Sequence, residues 1–170
     1  SVSNLQRQVL YAESQVGKPK VDCARERLLG LNSDITVNTY RQKLQADNAR
    51  ELIAQYDIVV DGTDNAAVRY VISDVCVALG KTYVYGAICG FEGQVSVLCR
   101  GKATYRALYP EEQELKDAHA AKAVIGVTPA IVGSVEAAQV LQLICGYGEP
   151  LIDKLWTIDL RTMQTFVIRV

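Results

Sequence analysis

The chain has 170 residues, 49% hydrophobic and 22% charged, enough for one domain, taken as residues 1–170, with a substantial core. Eighteen Lys and Arg against 19 Asp and Glu leave a formal charge of −1, which excludes bulk electrostatic attraction to nucleic acid or to an anionic membrane surface. No run of about 18 apolar residues offers a transmembrane helix, and Ser1-Val2-Ser3-Asn4 has neither the basic nor the apolar part of a secretion signal. Five scattered cysteines (Cys23, Cys76, Cys89, Cys99, Cys145) show no C-x-x-C spacing and read as reduced core thiols in a cytoplasm.

In chain order, Ser3 and Gln6 have the form of a capping box, which predicts a short helix running to about Leu10 with Asn4 and Arg7 on one face. Gly17-Lys18-Pro19-Lys20 is a turn, a helix follows over Val21 to Leu31, and Ile35 to Tyr40 alternates like a strand. Asp47 is a candidate N-cap for a helix over Asn48 to Gln55. The β-branched run Ile58-Val59-Val60 suits a strand covered on both faces. Gly62 and Thr63 break it, and a helical pattern runs from Ala66 to Leu79, closed by Gly80. Strands over Thr82 to Ile88 and Gln94 to Arg100, an extended piece over Tyr105 to Tyr109, and a charged, alanine-rich crossover from Pro110 to Lys122 come next. Thr128-Pro129 starts a helix that Gly146 stops, and Gly133-Ser134 within it suggests close packing. Leu155 to Asp159 and Gln164 to Val170 close the chain as a hairpin. The fold class is α/β: a Rossmann-like, mostly parallel sheet flanked by helices, with antiparallel strands late in the chain.

Ligands in open α/β sheets sit at the carboxyl ends of strands, where Asp64 and Asn65 fall. Arg7 offers a planar fork of donors for phosphate oxygens and Lys20 a compact charge, while a carboxylate such as Asp64 can hold Mg²⁺ beside those phosphates. Taken singly, Asp64 reads as a helix cap, Arg7 and Lys20 as solvated charges, and Asn4 as a partner for helix-terminal amides.

Taken together, Ser3-Asn4-Leu5-Gln6-Arg7-Gln8, Gly17-Lys18-Pro19-Lys20 and Asp61-Gly62-Thr63-Asp64-Asn65 with Arg69 resemble the MoeB/ThiF family of adenylating enzymes related to ubiquitin-activating enzymes. Tyr85-Gly86-Ala87, Phe91-Glu92-Gly93-Gln94-Val95 and Gly133-Ser134 with Glu136-Ala137 extend the likeness along most of the chain. The resemblance implies ATP-dependent adenylation of the C-terminal glycine of a ubiquitin-like sulfur-carrier protein, in thiamine or molybdopterin biosynthesis. It implies catalytic roles for Arg7 and Asp64, nucleotide contacts from Asn4, Arg7, Lys20, Asp64 and Asn65, and Mg²⁺ held by Asp64. It also implies a carrier with a Gly-Gly tail and a homodimer whose partner completes the site with an arginine.

Three departures from the family pattern stand out. The glycine-rich first β-α-β unit does not precede Ser1, which predicts unpaired strand edges and weak ATP binding by this chain alone. Thr104-Tyr105-Arg106-Ala107 carries neither cysteine of a zinc-binding pair, so no zinc is expected. His119 falls near the family's crossover cysteine and reads as a solvated side chain, while Cys89 and Cys99 read as buried strand thiols. A rival reading is a non-catalytic relative that keeps the fold as a binding or regulatory module. An NAD-type oxidoreductase is disfavoured by the missing G-x-G-x-x-G.

Overall fold

The computed structural model describes residues 1–111 and 124–170; most of the expected crossover, and His119 with it, lies outside the described residues. The chain divides into two compact units, Ser1–Lys43 and Leu44–Val170.

In the first unit, 3₁₀ turns at Val2–Asn4 and Glu13–Gln15 precede helix α1, Lys20–Leu31. The expected helix to Leu10 is therefore only a turn. Ser3 binds the Ser1 hydroxyl at 2.8 Å instead of capping, which leaves the orphan amides of a longer helix without a side-chain acceptor. Gly17 takes the left-handed conformation (φ 93°) that lets the chain turn into α1. The expected strand over Ile35 to Tyr40 does not form, because alternation alone supplies no ladder partner; Arg25 Nε instead donates to the Val37 carbonyl at 3.2 Å.

The second unit opens with α2, Ala49–Ala54, with Asn48 rather than Asp47 at the N-cap position. The Asn48 side chain accepts from the Gln45 amide, a local bond in the turn before the helix. Strand β1 (Ile58–Val60) leads into α3 (Ala66–Leu79), and Gly80 ends α3 in the left-handed conformation (φ 62°). Strands β2 (Thr82–Cys89) and β3 (Glu92–Leu98), helix α4 (Tyr105–Leu108), helix α5 (Val127–Cys145) and strands β4 (Lys154–Asp159) and β5 (Gln164–Arg169) complete the unit.

The sheet order is β1-β2-β3-β4-β5, with β1–β2 parallel and the other three pairings antiparallel. The α/β class stands, but the expected mostly parallel balance does not. A parallel pair needs a crossover element, which α3 supplies between β1 and β2; the short turns after Cys89 and Asp159 allow only antiparallel return. β1 is an edge strand, and Val60 is 49% exposed, contrary to the expectation of two covered faces. Val59 turns to the core under α3, whereas Val60, beside Val84, faces the side where α5 packs on β2 and β3.

The α3 side of the sheet carries the main core: Tyr83, Tyr85, Ala87 and Leu98 pack with Tyr70, Ile72, Cys76 and Tyr105. On the opposite side α5 approaches so closely that a Cβ on Gly86 or Gly93 would fall 2.4 Å from Glu136 or Val132. Gly133, expected to mark close packing, is exposed with nothing near its Cβ position, so the tight approach belongs to strand glycines. By length and composition α5 could cross a membrane, although no run of 18 apolar residues marked it. Its buried Thr128, Val132, Glu136 and Gln139 line the helix face toward the sheet, while Val127, Leu141 and Ile144 remain exposed.

Residues 105–108 form the short helix α4, not an extended piece, because the Thr104 side chain accepts from the Ala107 amide as an N-cap. In place of a zinc-binding pair, α4 is held by a Tyr105 amide bond to Ser73 Oγ and by a bidentate Arg106–Asp74 pair at 2.8 and 2.7 Å. Arg106 lies 4.9 Å from the Tyr70 ring centroid, and the Tyr70 hydroxyl donates to the Tyr109 carbonyl. Tyr105 stacks edge-on against Tyr70 and Tyr85. Tyr105→Ala should therefore cost about 3–5 kcal/mol in urea unfolding, while dialysis against a chelator leaves the wild-type midpoint unchanged. Cys99, expected as a buried strand thiol, is half-buried just past β3 with φ 62°, and Cys89 is half-buried at the end of β2. Burial still pushes the Cys99 thiol up, away from reactivity.

Candidate functional site

Asn4 and Arg7 meet as the spacing predicted: Arg7 Nη2 donates to Asn4 Oδ1 at 2.9 Å, and Nη1 reaches the Ser3 carbonyl at 3.4 Å. The asparagine oxygen thus orients one edge of the guanidinium. Lys20, the first residue of α1, is exposed and lines a small cavity of about 30 Å³ with Gln8, Tyr11, Gly17 and Lys18. All three residues belong to the first unit.

Asp64 and Asn65 belong to the second, in the loop from β1 to α3. Asn65, not Asp64, is the N-cap of α3, its Oδ1 accepting from the Val68 amide at 3.3 Å. That leaves Asp64 exposed, and within its unit no hydrogen bond or ion pair among the described residues engages its carboxylate.

Asp61 has the opposite character. Its Oδ1 accepts from the Thr63 amide (2.7 Å) and hydroxyl (2.8 Å); its Oδ2 accepts from Arg69 Nε (2.7 Å) and the Tyr83 hydroxyl (3.0 Å). Both partners of the Asp61–Arg69 pair are buried, with side-chain exposures of 0% and 5%. Burial opposes the Arg69 charge, but the Asp61 carboxylate beside it more than offsets that, holding its pKa above the ordinary value. Burial, then the same carboxylate, raises the Tyr83 phenol, so it stays a hydrogen-bond donor. The motif's two aspartates are therefore divided, one committed to structure and one available.

Sequence reasoning missed Asp61, Arg69, Tyr83 and Glu136 as a buried polar group. Glu136 is 7% exposed, and its buried Oε1 has no hydrogen-bond partner among the described residues. Burial, then Asp61, push it up to about 8 against a smaller pull from Arg69, so it is largely neutral at pH 7. A signal existed: Arg69, Ser73 and Cys76 share helical spacing on a buried face, as do Val132, Glu136 and Gln139.

The donor chemistry at Asp64 fits Mg²⁺, which takes one or two protein oxygens and keeps waters or phosphate oxygens for the rest. Among the described residues no group of three or more His, Cys, Asp or Glu side chains gathers to form a protein cage. A larger cavity of about 460 Å³ lies elsewhere in the second unit, on the face of β2, β3, β4 and β5 lined by Ala87, Cys89, Gln94, Thr157 and Phe166. Arg161 pairs with Glu92 and Asp159 at its margin.

The profile of the ThiF family matches residues 1–170. Over 166 residues the chain is 42% identical to "Sulfur carrier protein adenylyltransferase" of Thermus thermophilus, covering 93% of this chain and 61% of that protein. It is 39% identical over 150 residues to "Probable molybdopterin-synthase adenylyltransferase" of Pyropia yezoensis, covering 86% of this chain and 40% of that protein. The chain thus spans roughly half the length of these relatives. The solved structure of E. coli MccB with ATP superposes with a TM-score of 0.86 at 22% identity, covering 99% of this chain and 53% of that one, a likeness of fold.

Proposed function

The chain belongs to the ThiF family, and from that premise we propose that it forms part of an adenylyltransferase that activates the C-terminal glycine carboxylate of a ubiquitin-like sulfur-carrier protein. The relatives' names support a carrier substrate, and the molybdopterin name favours that pathway over thiamine synthesis. The observation that carries the reading is the division of the aspartates: Asp61 is saturated by four donors while Asp64, at the carboxyl end of a strand, is free within its unit to meet a ligand.

In the proposed reaction a carrier carboxylate oxygen attacks the α-phosphorus of ATP. A P–O bond forms, the α–β anhydride bond breaks, and pyrophosphate leaves with its electron pair, giving an acyl-adenylate. Two anions must approach, so cationic neutralisation matters most as charge builds. Arg7, oriented by Asn4, and Lys20 supply positive charge to phosphate oxygens. Asp64 would hold Mg²⁺, which would neutralise phosphate charge when bound, and Asn65 would lie beside the nucleotide. The open 460 Å³ face has room for a short peptide tail of the carrier. A cytoplasmic homodimer belongs to the same reading.

ATP–pyrophosphate exchange by the intact protein with a Gly-Gly-tailed carrier tests it. Exchange is expected, and Asp64→Ala should reduce it at least about 100-fold, the loss typical of removing one preorganised electrostatic group. Carrier binding with no exchange by the wild type would establish the non-catalytic module instead.

A further inference from the structure

Arg69 reaches beyond the ion pair it makes. Its Nε donates to Asp61, while Nη2 donates to the Thr63 carbonyl at 2.6 Å and lies 3.4 Å from the Gly86 carbonyl. Tyr85 lies under the guanidinium, 5.6 Å from carbon to ring centroid. The loop is held from both ends. The Asp61 amide donates to Val84 O, continuing the β1 ladder, and the Thr63 amide and hydroxyl both donate to Asp61. Every polar group of Thr63 is thereby engaged.

The Thr63 carbonyl shares one rigid plane with the Asp64 nitrogen and Cα. Fixing that carbonyl therefore fixes where Asp64 leaves the loop, although Arg69 never touches Asp64. Asn65 holds the next residue by capping α3.

We infer that Arg69 is a positioning residue that, through Thr63 and Asp61, sets the direction in which Asp64 is presented; this rests on the reading of Asp64 as the ligand-facing acid. Its planar fork is what the task requires. A lysine can pair with Asp61, but one compact ammonium cannot also hold the Thr63 and Gly86 carbonyls in fixed directions. Arg69→Lys thus separates charge pairing from loop positioning.

The test uses Arg69→Lys in the intact protein, with two readouts. In amide relaxation, wild-type Asp64 should have an order parameter near the rigid value of about 0.85, and Arg69→Lys should drop residues 63–65 below about 0.6 while β2 and β3 stay rigid. In ATP–pyrophosphate exchange, kcat should fall about 10- to 100-fold, far more than KM for ATP changes, as small displacements of an acting group do. Asp64→Ala should then cost much less in the Arg69→Lys background than in wild type. A loop as rigid in Arg69→Lys as in wild type overturns the inference, as does kcat within twofold of wild type in a folded variant. If Arg69→Lys does not fold, the wild-type measurement decides: a mobile Asp64 amide refutes positioning and a rigid one supports it. Absence of exchange in the wild type sinks the adenylation reading alone, since the relaxation readout still judges Arg69.

Discussion

Arg69→Met and Asp61→Asn should each destabilise the second unit by about 3–5 kcal/mol in denaturant unfolding, among the largest single-site losses in the chain. The reason is the partner left behind. Removing the guanidinium leaves Asp61, with no side-chain exposure, holding a charge that the Tyr83 and Thr63 donors only partly stabilise. Removing the carboxylate charge leaves a buried arginine facing backbone carbonyls. The double substitution should lose far less than the two single losses combined, because it leaves neither charge uncompensated. Additive losses would mean that the two side chains contribute independently. Exposed pairs such as Arg41–Asp22, whose arginine is 68% exposed, should by contrast change stability by less than about 1 kcal/mol.

The contrast between these pairs explains what the amino-acid order reveals. Ile58-Val59-Val60 and the helix from Ala66 to Gly80 were readable because each rests on local chemistry, β-branching and a left-handed glycine, although the capping side chain is Asn65 and not Asp64. The closing hairpin was readable for the same reason, as two strand patterns flank a short turn. Asn4 with Arg7 followed from spacing alone. The failures came where a remote partner decides. Residues 36–40 alternate but pair with no strand, and α4 forms because Thr104 caps it and Ser73 and Asp74 receive it, partners about 30 positions away. The roles of Asp61 and Asp64 divide through Arg69 and Tyr83, on other elements, which no reading of Asp-Gly-Thr-Asp alone could rank.

Glu136→Gln should stabilise the protein at pH 8 and leave it nearly unchanged at pH 4. In the folded state burial pushes this carboxyl up to about 8, against an ordinary value of 4.5. Below pH 4.5 both states hold the proton and the site contributes no pH dependence. Between 4.5 and 8 the unfolded chain releases the proton while the folded chain keeps it, so stability falls as pH rises. Above 8 both states are ionised and the full penalty, on the order of 3–5 kcal/mol, is present. Arg69 and Asp61 are the charged groups acting on this carboxyl, and their opposite effects leave burial as the dominant cause. A glutamine of the same shape carries no charge to desolvate, so its stability curve should lack this slope; parallel curves for the two proteins between pH 5 and 8 would reject the assignment. Gly86 is the other half of the same arrangement. Its missing side chain makes the space the carboxyl occupies, with a Cβ there only 2.4 Å from Glu136 Cδ. Gly86→Ala should thus cost about 1–3 kcal/mol by overpacking, and most of that cost should vanish in a Glu136→Ala background, since the clash and the buried acid are removed together.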